Sequence, residues 1–110
     1  MTENTKEITN DNFKEEVINS EGVVLVDFYA KWCTPCKVLS PVMDELGDEF
    51  SGRAKICKAD VDENSDLVGN LTIASVPSIL IFKSGQVVNR FSGLRTKDDL
   101  KNDLEKICNG

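Results

Sequence analysis

The segment Trp32-Cys33-Thr34-Pro35-Cys36-Lys37 sets two thiols three residues apart. Cysteines at that spacing do one of two things: they hold half of a tetrahedral zinc site, or they form and break a disulfide with each other. A zinc site needs two more ligands. The chain has no histidine, and Cys57 and Cys108 lie far apart and form no second CxxC, so reversible redox exchange is the better reading. Without histidine the commonest general base is also missing, and proton transfer must rest on other groups.

Position strengthens the signal. The run Val23-Val24-Leu25-Val26-Asp27-Phe28-Tyr29 reads as a central strand covered on both faces, and a helix begins just beyond the cysteines. A cysteine at a helix start meets unpaired N–H groups and the positive end of the macrodipole, and both favour thiolate over thiol. At an ordinary pKa of about 8.5 only roughly 3% of a thiol is ionised at pH 7, whereas at about 7 half is. Cys33 is the expected nucleophile. Cys36 falls in the first helical turn with its sulfur turned back toward Cys33. Neighbours at i, i+3 have Cβ atoms about 5–6 Å apart, against about 3.5–4.5 Å in a relaxed bridge, so closing the bond requires a small shift and leaves it easily reduced. Pro35 suits a helix start, where its fixed φ fits and its missing N–H costs nothing.

The elements that position this segment follow from periodicity. Further strands are expected at Ala54–Asp60, Ser78–Phe82 and Val87–Phe91, with a Ser84-Gly85 hairpin turn between the last two and a short leading strand near Glu7-Ile8. Val38, Leu39, Val42, Met43, Leu46 and Phe50 form the stripe of a long amphipathic helix that Ser51-Gly52 ends and Pro41 should bend. Other helices are expected at Asp11–Asn19, with Phe13, Val17 and Ile18 inward, near Ser65–Asn70, and at Lys97–Ile107. Helical crossovers imply parallel pairs and the hairpin an antiparallel one, so the fold class is α/β with a mixed sheet between helices. The 110 residues suit a single domain over 1–110.

Around the pair, several residues admit two readings. Asp27 breaks an apolar strand, where burial raises a carboxyl's pKa; it either takes the proton of Cys36 or reaches solvent at the strand end. Lys58, one strand over, either favours the ionised form of Asp27 or is simply solvated. Pro77 opens a strand and on base rates is trans, since only about 5–6% of X–Pro bonds are cis. Trp32 is either a core aromatic or the apolar rim of an exposed nucleophile; Ile73, Val76, Gly93 and Leu94 either join that rim or pack their own loops. Cys57 is expected to be a small buried hydrophobe, and Cys108, in the last helical turn, to be inert or incidentally oxidised.

From Phe13 to Leu104 the chain resembles the thioredoxin family. The resemblance rests on Val26-Asp27-Phe28, Trp32 to Lys37, Pro41, Lys58, Asp60, Asp62, Val76-Pro77, Phe82, Gly85 and Gly93, in the family's order and spacing. It implies the thioredoxin fold, a mixed central sheet flanked by four helices, and a general protein-disulfide reductase without bound cofactor or metal, recharged by a thioredoxin reductase. It implies Cys33 as attacking and Cys36 as resolving sulfur, Asp27 as proton acceptor tuned by Lys58, and a cis Pro77 beside the pair. The backbone of Val76 then pairs with an extended substrate segment. Thr34 stands where the family usually has Gly, Tyr29 where Trp is common, and Ser78 where Thr often follows the proline. The dipeptide between the cysteines influences redox poise, so Thr34 and Pro35 bear on the potential.

Thirteen basic against nineteen acidic residues leave a formal charge of -6, which argues against general nucleic-acid binding. No stretch approaches the roughly 18 apolar residues of a membrane span, and Met1–Glu7 lacks the basic and apolar regions of a signal peptide. The expectation is a cytoplasmic monomer acting on disulfide-containing proteins, away from nucleic acid and membrane. The alternative is a non-catalytic subunit that holds a partner on the Trp32 surface.

Overall fold

A computed structural model describes residues 5–110; of the N-terminal segment read for a signal peptide, Met1–Asn4 lie outside the described residues. Five strands, β1 Thr5–Glu7, β2 Val23–Tyr29, β3 Ala54–Asp60, β4 Ser78–Lys83 and β5 Gln86–Ser92, form one sheet in the order β1-β3-β2-β4-β5. β3 runs parallel to β1 and β2, whereas β4 is antiparallel to β2 and β5. The sheet is mixed, as the crossovers and the hairpin require. Four helices accompany it among the described residues: a five-residue π-helix, Lys14–Ile18, and α1 Thr34–Glu49, α2 Ser65–Leu71 and α3 Lys97–Asn109. None of them is long and apolar enough to cross a membrane.

Strand alternation sorts the core into two layers. Val23, Leu25, Ile56, Ile79 and Ile81 face α1 and α3, packing on Leu39, Met43, Leu46, Phe50, Leu100 and Leu104. Val24, Val26, Phe28, Cys57, Leu80 and Phe82 face the other side, against Ile8, Val17 and Leu67. Each fully buried large side chain contributes roughly 1.5–3 kcal/mol, so α1 is fixed to the sheet along its length. Asp27 follows Val23 and Leu25 on the α1 face, and therefore lies under the start of that helix.

Three expectations need correction. The segment expected as a helix from Asp11 to Asn19 closes instead as a π-helix, with Asn19 N–H donating to Lys14 O at 2.8 Å. Thr9 and Asn12 exchange side-chain to backbone bonds at its entry. The wider turn keeps Val17 buried but leaves Ile18 39% exposed. Val38 is likewise exposed, at 60%, because Leu39 takes the inward position and its neighbour is turned about 100° away. Pro41 lies inside α1 without ending it. The turn from β4 to β5 has Ser84 and Gly85 both at positive φ, 53° and 80°, the two-residue hairpin geometry that suits glycine; a Cβ on Gly85 would run into the carbonyl oxygen of Ile18.

Candidate active site

The cysteines sit where β2 hands over to α1. Cys33 is the N-cap of that helix, in extended conformation, and its Sγ accepts from Cys36 N–H at 3.2 Å. The local sequence explains this arrangement. Thr34 and Pro35 occupy the first two helical positions, Cys36 the third, and the third N–H is one that a cap normally satisfies. Cys33 and Cys36 form a disulfide with a Cα separation of 5.3 Å. The bridge packs with Ala30 and against Tyr29, Val61 and Val76. Cys33 is only 5% exposed, which corrects the expectation of an exposed nucleophile: Tyr29, Val61 and Val76 pack against the cluster it belongs to. Cys57 and Cys108 belong to other parts of the core. Burial pushes the Cys57 thiol up to about 12, and raises that of Cys108 as well.

Beneath the pair lies a cavity of about 400 Å³ lined by Cys36, Asp27, Lys58, Ser40, Tyr29 and Glu7, among others. Strand register explains the group. Asp27 pairs across the sheet with Lys58 on one side and Ile79 on the other. The carboxyl is thus wedged between an ammonium stem and an isoleucine, 1% exposed, with Oδ1 buried and accepting no hydrogen bond. Burial drives its pKa up to about 7; Lys58 opposes the rise and Glu7 adds to it. Lys58 does approach Asp27 as the register demands, but its ammonium donates to Ser40 Oγ and stands 3.9 Å from Asp44 Oδ1. It acts on Asp27 through space. An acid that titrates near neutrality beside a thiol can take and return that thiol's proton.

The outer wall is built by loops. The Val76-Pro77 peptide is cis, so the resemblance and not the base rate described it. Val76 touches the cysteine cluster. Gly93, at φ 87°, donates its N–H to Pro77 O at 2.8 Å, tying the segment after β5 to the start of β4. Trp32 is 69% exposed and is held in place by donating Nε1–H to Asp62 Oδ2 at 2.8 Å. Together with Val61, Val68, Ile73 and Val76 it lines a second cavity of about 280 Å³. Leu94 is exposed next to Gly93 and lies outside that lining. Thr34 and Pro35 are exposed on the first turn of α1. Glu7, Ser40 and Asp44 were not singled out from the sequence as members of this site. The signal for Glu7 was the leading strand itself, which in register with β3 brings Glu7 opposite Lys58.

Comparison with known proteins bears directly on this geometry. The thioredoxin family model matches residues 4–106. The chain is similar to "Thioredoxin 1" of Nostoc sp., at 41% identity over 91% of this chain and 94% of that one. It is also similar to "Thioredoxin" of Synechocystis sp., at 41% over 93% and 95%, and to "Thioredoxin 2" of Chlorobaculum tepidum, at 43% over 91% and 92%. Agreement sustained over that much of both chains exceeds what a shared CxxC yields, and the chain belongs to the thioredoxin family of protein-disulfide oxidoreductases.

Proposed function

We propose that the chain is a general protein-disulfide reductase, a two-electron carrier in which Cys33 attacks and Cys36 resolves. The observation that carries this reading is the contact of Cys36 N–H with Cys33 Sγ at the start of α1. In the reduced protein the same donor and the helix dipole favour a Cys33 thiolate. That thiolate attacks a target disulfide: a Cys33 Sγ–S bond forms, the target S–S bond breaks, and one target sulfur leaves as thiolate. Cys36 then loses its proton to the Asp27 carboxylate and attacks Cys33 Sγ. The Cys33–Cys36 bridge forms, the mixed disulfide breaks, and the second target sulfur leaves. Two electrons have passed to the target, whose thiolates take up protons from solvent.

Supporting residues take roles that suit their places. Lys58 tunes Asp27 through space, Thr34 and Pro35 influence the poise of the couple, and Pro77 positions the Val76 backbone to pair with an extended segment of the target. Trp32, Ile73, Val76, Gly93 and Leu94 form the docking surface; Gly93 lets a partner backbone come close. Electrons return from a thioredoxin reductase. In this reading the chain is one domain, a cytoplasmic monomer whose partners are disulfide-containing proteins and not nucleic acid or membrane, in keeping with a net charge of -6. Reduction of insulin with a dithiol as electron source tests the scheme. Cys33→Ser should fall to the rate of the dithiol alone, and Cys36→Ser should accumulate mixed disulfides visible by mass; unchanged turnover in either variant removes the mechanism.

A further inference from the structure

Lys58 stands between two carboxylates. In register it faces Asp27 on β2 and Glu7 on β1, so the three side chains form one row across three strands on the face that α1 covers. All three line the cavity that Cys36 also lines. Glu7 is half-buried there, and its Oε2 accepts from the Tyr29 hydroxyl at 3.1 Å. We infer that Glu7 is a positioning residue of the redox site: sharing Lys58 with Asp27, it governs when Asp27 gives up its proton. This rests on the reading of Asp27 as the group that takes the proton of Cys36.

Two carboxylates competing for one ammonium in a poorly solvated row do not ionise independently. Ionised Glu7 repels charge on Asp27 and draws on the field of Lys58, so Asp27 keeps its proton to higher pH. Glu7 is itself raised by burial and by the charges of Asp60 and Glu63, against the Tyr29 hydrogen bond and Lys58. Lys31, Lys37 and, through its contact with Lys58, Asp44 complete the charged surroundings. The link runs from an acid on the first strand to the resolving sulfur on α1.

The test is a carboxyl NMR titration of Asp27 in the oxidised protein, beside the pH profile of insulin reduction. Glu7→Gln should lower the Asp27 midpoint by about half a pH unit or more, roughly threefold in proton affinity. Tyr29→Phe keeps the carboxylate but removes the bond that favours its ionised form, so it should lower the Asp27 midpoint by less. It also answers the question if Glu7→Gln fails to fold. Glu45→Gln, on the outer surface of α1, serves as the control. A midpoint in Glu7→Gln or Tyr29→Phe that moves no further than in Glu45→Gln overturns the inference. A lowered midpoint with an unmoved activity profile upholds the part of Glu7 and instead removes Asp27 from the catalytic cycle.

Discussion

Asp27 shows how one residue is set by its two neighbours in the sheet. Ile79 denies it solvent and Lys58 returns only part of the lost solvation, so the carboxyl ionises near 7 in the folded protein and near its ordinary 3.8 when unfolded. Below the lower value both states hold the proton, and Asp27 is neutral to pH dependence. Between the two values only the unfolded chain has released it, so stability falls as pH rises. Above the upper value the loss is complete, on the order of 4 kcal/mol. Asp27→Asn should therefore stabilise the oxidised protein by a few kcal/mol at pH 8 and change little at pH 3.5. Urea unfolding at both values checks this, and a variant weaker than wild type at pH 8 contradicts it. Asp27 was legible in the sequence because a charge in an apolar run is conspicuous. Glu7 was not, because an acid in a three-residue strand beside polar residues looks like surface, and only pairing with β3 gives it a neighbour.

Among the elements, α1 and the central strands were readable because their apolar positions keep one period over many residues. The π-helix was not, since five residues carry too little pattern to distinguish a wide turn from an ordinary one, and the hydrogen bonds of Thr9 and Asn12 decide its entry. The same limit explains Ile18 and Val38, each adjacent to an inward position and counted with it. α3 depends on a few identifiable contacts. Thr96 caps it, its hydroxyl accepting from Asp99 N–H at 3.1 Å, while Leu100 and Leu104 hold it to the core. Thr96→Ala should cost about 1 kcal/mol, with Thr96→Ser close to wild type; thermal unfolding of both variants separates loss of the cap from loss of the methyl group.

At the scale of the molecule, the sheet divides two apolar layers and gathers its polar groups where α1 begins. The layers differ in what they hide. Cys57 lies in the layer away from α1, fully buried, with its thiol pushed up to about 12, so an external reagent reaches it only after that layer opens. In the reduced protein at pH 8, alkylation of Cys57 should be slower than that of Cys33 by about a thousandfold or more, and it should accelerate with urea in step with unfolding; prompt native-state labelling of Cys57 would disprove this. The surface beside the pair was only partly legible, since Trp32 and Val76 come from separated segments that meet along one cavity, while Gly93 joins the Val76 segment through its N–H bond to Pro77 O. A different kind of consequence follows from β1. It is held by three register pairs at the margin of the sheet, and it carries Glu7 opposite Lys58. Under the part inferred for Glu7, whatever loosens this margin, from warming to a bulky neighbour fused upstream, shifts the ionisation of Asp27.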